Sequence, residues 1–126
     1  MKRYIPVLSI AGSDCSGGAG IQADIKTISA IGCYAMTAIT ALTVQNTEGV
    51  SAIGKVSPDI VAGQIEAVWS DIPPRAVKTG MLFNREVIEA VASSLEHHRP
   101  ELLVVDPVSV ATSGSVLLEP DAIRLL

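Results

Sequence analysis

With 126 residues, 48% of them hydrophobic and only 3% aromatic, the chain is long enough for at most one domain with an aliphatic core, which excludes a disordered segment. Its net charge of −4 offers no basic footprint for nucleic acid or an anionic membrane, and no stretch approaches the roughly 18 uninterrupted apolar residues of a transmembrane helix. The two cysteines, Cys15 and Cys33, lack metal-ligand spacing and are expected as reduced thiols in a cytoplasmic protein.

Met1-Lys2-Arg3 and the apolar run behind it mimic a short signal peptide. The run contains Pro6, however, Asp14 directly precedes Cys15, and a glycine-rich stretch follows at once, so Ile5 to Ala11 is predicted as a buried first strand. Four glycines (Gly12, Gly17, Gly18, Gly20) and two acids (Asp14, Asp24) then lead into a helix starting near Gly20. Glycine lets the backbone approach a ligand closely, and a helix start is expected to offer unpaired N–H groups. Ile21, Ile25, Ile28 and Ile31 trace the helical period until Gly32, a predicted C-terminal cap.

Met36 to Val44 reads as a second strand ending in the polar turn Gln45-Asn46-Thr47-Glu48-Gly49, and Val50 to Val56 as a short extended segment. Ser57-Pro58 opens a helix with Val61, Ile65, Val68 and Trp69 on one face, Trp69 being a packing residue, and Pro73-Pro74 lies beyond its end. Ala76 to Thr79 is a third sheet strand. Asn84 caps a helix with Val87, Val91 and Leu95 inward, closing on His97 and His98 in a solvated last turn. Leu102 to Val105 is a fourth sheet strand. Glu119-Pro120-Asp121 opens a further helix that leaves Leu125 and Leu126 without partners, so the chain is expected to be the front half of a larger domain and to self-associate in isolation.

This alternation predicts an α/β fold, a doubly wound and mostly parallel sheet with helices on both faces, in which ligands bind beyond the carboxyl ends of the strands. Gly12 to Gly20, Gln45-Asn46, Gly80-Met81 and Asp106-Pro107-Val108 all follow predicted strands. Their convergence makes one candidate site. Two motifs fail there. Gly12 and Gly17 have the outer spacing of a P-loop, but Gly18 and Ala19 stand where Lys and Ser/Thr are required. Gly18-Ala19-Gly20-Ile21-Gln22-Ala23 fits a dinucleotide fingerprint but starts too far past the strand, with no acid about 20 residues on.

Five blocks in order, Ala11 to Asp14, Ser16 to Thr27, Thr40 to Thr47, Lys78 to Leu82 and Asp106 to Val108, resemble the hydroxymethylpyrimidine and phosphomethylpyrimidine kinases, ribokinase-like enzymes of thiamine biosynthesis. The resemblance covers essentially the whole chain and implies that residues 1–126 are the N-terminal, substrate-binding half of one ribokinase-like kinase domain. It implies ATP-dependent phosphorylation of 4-amino-5-hydroxymethyl-2-methylpyrimidine and its monophosphate, with ATP and Mg2+ as cofactors. Gly12, Ala19, Asp24, Gln45, Met81 and Val108 match positions that surround the pyrimidine. Gln45 suits a ring nitrogen and an exocyclic amine, Asp24 can accept from an amino or hydroxymethyl group, and Met81, Val44 and Val108 suit the walls for a flat ring. Asp106 matches the acid near the phosphates and magnesium.

The family's Gly-Thr-Gly-Cys block, with its anion hole and presumed base, is not among these residues, nor are the adenine-binding elements. The expected base lies beyond Leu126, no catalytic residue is expected here, and the 126-residue chain alone is expected to be inactive. Cys15 occupies a variable position of the glycine loop, and Ser109 stands where relatives often carry methionine. A pyridoxal-type kinase and an inactive pyrimidine-binding fragment are the alternatives, with the Gly17-Gly18-Ala19-Gly20 loop and Asp24 favouring the pyrimidine. The expected partner is a small-molecule pyrimidine, not nucleic acid or membrane, with a homodimer at full length.

Overall fold

A computed structural model describes residues 2–109, 113–120 and 122. The elements run β1 (Pro6–Asp14), α1 (Gly20–Ala30), β2 (Tyr34–Asn46), β3 (Gly49–Lys55), α2 (Pro58–Asp71), β4 (Ala76–Thr79), α3 (Arg85–His98) and β5 (Leu102–Val105). They form one sheet in the order β3-β2-β1-β4-β5. β2, β1, β4 and β5 are parallel, and β3 returns antiparallel to β2. The reversal follows from the connection, since Thr47 and Glu48 alone join β2 to β3 and a parallel crossover needs a dozen residues or more. Asn46 Oδ1 builds the turn by accepting from the amides of Glu48 (2.9 Å) and Gly49 (3.3 Å).

Alternation along β1 separates the two faces. Leu8 and Ile10 are fully buried in a core with Val61 and Ile65 of α2 and Val87, Ile88 and Val91 of α3. Ser9 points the other way, where its hydroxyl meets Asp24 of α1. Helices therefore cover both faces. β1 does not stop at Ala11: past an irregularity between Ala11 and Ser13, its register with β2 continues through Ser13–Leu42 and Asp14–Thr43. Gly12 thus lies within a strand, at a bulge-like step, rather than in a loop.

Local signals set the helix ends. Ser57 Oγ accepts from Ile60 N (3.3 Å), and Asn84 Oδ1 accepts from Val87 N (2.9 Å). Gly32 follows α1 with φ +85°. Only Ile21 and Ile28 of the α1 stripe are buried; Ile25 and Ile31 are exposed. Trp69 packs as expected, stacked on His98 at 4.4 Å between ring centroids. His98 is not a solvated residue, because that stack and Glu66, 2.8 Å from its Nε2, hold it between α2 and α3. The helix expected from Pro120 lies largely outside the described residues, as do Leu125 and Leu126, while Leu118 and Ala122 join the core. All four residues of β5 are exposed. No described helix is long and apolar enough to cross a membrane.

Asn84 is itself buried, so Asn84→Ala should leave the Val87 amide without an acceptor and cost about 1–2 kcal/mol. The denaturation midpoint should fall with an unchanged denaturant slope, and an unshifted midpoint would refute the capping role.

Candidate functional site

A cavity of about 440 Å³ opens where the carboxyl ends of β1, β2, β4 and β5 meet. All four predicted segments line it: Gly12 to Gly20 through Gly12 and Ala19, the β2 end through Gln45, the β4 end through Gly80 and Met81, and the β5 end through Asp106 and Val108. Asp24 reaches it from α1. The volume suits a small ligand.

Asp14 organises the glycine loop. Its Oδ1 accepts from the Ser16 hydroxyl (2.6 Å) and the Ser16 amide (2.9 Å), and its Oδ2 from the amides of Ala19 (2.8 Å) and Gly18 (3.0 Å). The N–H groups of these three loop residues, which precede the helix start at Gly20, are therefore taken by the chain's own carboxylate. Asp14 thus makes the glycine loop a braced wall of the cavity. Burial pushes the Asp14 carboxyl up, but the hydrogen bonds from the Ser16 hydroxyl and amide and from the Ala19 and Gly18 amides outweigh it, and the net shift is below the ordinary range.

Helix α1 ties the same loop down. Gln22 accepts from the Asp14 amide (2.8 Å) and donates to Ser13 Oγ (2.8 Å), while Lys26 Nζ donates to the Gly17 carbonyl (2.8 Å). Gly20 takes φ +57°, and a Cβ there would run into the Gly12 carbonyl oxygen. At Gly12 a Cβ would run into Cε of Met81, so this glycine makes room for the methionine that walls the cavity.

Asp24 sits in the second turn of α1, beyond the reach of a helix-terminus role, and is held by Ser9 Oγ (2.6 Å) and Lys78 Nζ (2.9 Å). Sequence reasoning missed Lys78. The available signal was a lysine inside the short strand Ala76-Val77-Lys78-Thr79, where partial burial demands a counter-charge. Thr43 was also missed: its hydroxyl lies 2.8 Å from both the Ser13 carbonyl and Gln45 Oε1. One hydroxyl proton serves one of these acceptors at a time, so Gln45 is positioned without being saturated. Cys15 Sγ approaches the backbone of Gln45 at its carbonyl (3.1 Å) and amide (3.4 Å), pinning the glycine loop to the end of β2.

Val44 does not join the cavity. Thr43 and Gln45 line the cavity, whereas Val44, at an irregularity in the β2–β3 register, is exposed and lines a shallow depression beside it with Glu48 and Ser51. Asp106 lines the cavity with its amide bonded to the Thr79 carbonyl (2.9 Å). Ser109 meets Leu117 through its carbonyl (2.7 Å). Among the described residues no three His, Cys, Asp or Glu side chains cluster as a metal site.

The family model for phosphomethylpyrimidine kinase matches residues 14–126. The hydroxymethylpyrimidine/phosphomethylpyrimidine kinase of Rhizobium meliloti is 56% identical over 119 residues, covering 94% of this chain and 44% of that protein. Its Escherichia coli counterpart is 48% identical over 126 residues, covering 100% and 47%. The crystal structure of phosphomethylpyrimidine kinase from Clostridium difficile superposes with a TM-score of 0.90 at 56% identity, covering 97% of this chain and 53% of that one. The pyridoxal kinase of Staphylococcus aureus in complex with pyridoxal gives 0.77 at 39%, covering 86% and 41%. The chain spans about half the length of these relatives.

Proposed function

Because the chain belongs to the phosphomethylpyrimidine kinase family, whose fold is ribokinase-like, we propose that it forms the substrate-binding part of a kinase of thiamine biosynthesis. That enzyme phosphorylates 4-amino-5-hydroxymethyl-2-methylpyrimidine, and then its monophosphate, from ATP. The observation that carries this reading is the cavity at four strand ends, with amide and carboxylate groups at Gln45 and Asp24 and apolar walls at Met81 and Val108. A flat ring bearing an amine and a hydroxymethyl group matches that mixture.

In the same reading, residues 1–126 are the N-terminal half of one kinase domain, and the anion hole, the base and the adenine site belong to another part of the protein. Of the three acids at the cavity, Asp14 is engaged by loop amides and Asp24 by Lys78, which leaves Asp106 as the residue that would hold a hydrated Mg2+. The ion supplies charge screening for the transferring phosphoryl group when bound. The protein is cytoplasmic and homodimeric in this reading; exposed Leu42 and Val44 on the outer face of β2 support self-association.

The test is ATP-dependent phosphorylation of the hydroxymethylpyrimidine by the full-length gene product, with the 126-residue chain alone expected to show none. Pyridoxal is the necessary competitor, given the likeness to the Staphylococcus aureus enzyme, and a clear preference for it would overturn the pyrimidine assignment. In that full-length protein, Gln45→Ala should weaken pyrimidine binding by about 1–3 kcal/mol, since a buried ligand group loses its partner. Asp24→Asn should weaken it in the same direction. Titration calorimetry beside a melting curve reads both variants, and unchanged affinity in the two would remove the ligand from this cavity.

A further inference from the structure

Lys78 reaches from β4 to α1, placing its Nζ 2.9 Å from Asp24 Oδ2 and 3.2 Å from Oδ1, and Ser9 of β1 adds a donor to Oδ2 at 2.6 Å. Three elements thus converge on one carboxylate in the cavity wall. Among the described residues no other ion pair has both side chains so sheltered: they are 27% and 19% exposed, against 64% and 65% for Arg75–Glu101, where solvent screens most of the attraction. The lysine head is also packed, since a Cβ at Gly80 would come within 3.0 Å of both Lys78 Nζ and Ala11 Cβ.

Taking two charges out of water is costly, and an apolar pair of similar volume would often hold the three elements together at least as well. What the ion pair supplies that an apolar pair cannot is a fixed hydrogen-bonding sense. A carboxylate only accepts, and an ammonium and a hydroxyl donor bonded to it hold that acceptor in one place. Oδ2 already takes two donors, whereas Oδ1 takes only the longer arm of the Lys78 contact and keeps a lone pair for a group in the cavity.

We propose that Lys78 is a positioning and specificity-determining residue: it fixes Asp24 as an acceptor, so the cavity selects ring ligands that present an amine or hydroxyl donor at that wall. This rests on the pyrimidine reading above and assigns the discrimination within it to a residue that acts through Asp24.

The experiment compares three ligands by titration calorimetry on the full-length gene product: the parent hydroxymethylpyrimidine, its analogue without the amine, and its analogue with methyl in place of hydroxymethyl. The unsubstituted protein is expected to bind at least one analogue about tenfold more weakly than the parent, which corresponds to about 1.4 kcal/mol. Lys78→Met should shrink that ratio to below about threefold by losing affinity for the parent, and Lys78→Arg, which keeps the charge, should retain most of it. A folded Lys78→Met with an unchanged ratio overturns the proposal, even if its melting temperature falls, because that is the signature of a merely structural lysine. Should Lys78→Met not fold, Ser9→Ala removes a donor from the same carboxylate and must narrow the ratio; an unchanged ratio there is equally fatal. Parent binding with no discrimination against either analogue overturns this inference alone, whereas no parent binding by the unsubstituted protein overturns the pyrimidine reading and this inference with it.

Discussion

Asp14→Ala should cost about 2–4 kcal/mol of folding stability and most of the ligand affinity, because one buried carboxylate gathers the amides of Ser16, Gly18 and Ala19 and the Ser16 hydroxyl. Its removal leaves three N–H groups turned toward a site with no acceptor, and the loop that walls the cavity loses its brace. Asp14→Asn keeps one acceptor oxygen but replaces the other with a donor facing N–H groups, so its loss should be nearly as large. The pH dependence follows from the direction of the Asp14 shift. Its folded carboxyl titrates below the ordinary value of about 3.9, so the stabilisation is fully present above that value and is lost as pH falls through the lower folded one. Denaturant midpoints between neutral pH and pH of about 3 should show this acid loss in the unsubstituted protein and a smaller one in Asp14→Asn. Identical acid profiles for the two would sink the assignment of that loss to Asp14.

Gly20→Ala should be comparably damaging, at about 2–4 kcal/mol, for a steric reason. The left-handed backbone at φ +57° costs a residue with a Cβ about 1–2 kcal/mol, and here the added carbon also runs into the Gly12 carbonyl, a backbone atom that cannot swing aside. Moving Gly12 displaces the bulge of β1 and the space kept for Met81, so ligand affinity should fall together with stability. Gly32→Ala is the control. Its φ of +85° carries the conformational cost, but nothing lies within 4 Å of the new carbon, so stability should drop by only about 1 kcal/mol and affinity should not change. Equal stability losses at the two glycines would show that the collision with Gly12 relaxes at little cost.

Much of the molecule is legible in the sequence because the deciding contacts are local. Ser57 and Asn84 cap helices through bonds spanning three residues, Gly32 ends α1, and Asn46 turns β2 into β3 within three. The gathering of four strand-end segments at one edge is legible for a different reason: alternating strands and helices wind parallel strands so that their carboxyl ends share one side. Family membership is equally a property of the string, carried by motif blocks in order.

Tertiary structure decided what the string leaves open. Whether the loop amides meet a ligand or Asp14 depends on the path of the loop, which Gln22 and Lys26 set from the neighbouring helix. The extension of β1 to Asp14 depends on pairing with Leu42 and Thr43 of another strand. Which of Val44 and Gln45 meets the cavity is decided by the packed sheet, whose register is irregular between the two. Lys78 and Asp24 stand 54 residues apart, and neither shows its partner by spacing. Helix and strand periods are repeated by every turn of the backbone and can be read locally, whereas a charge pair across a sheet forms once, and only after strand order, register and helix placement have brought its two ends together.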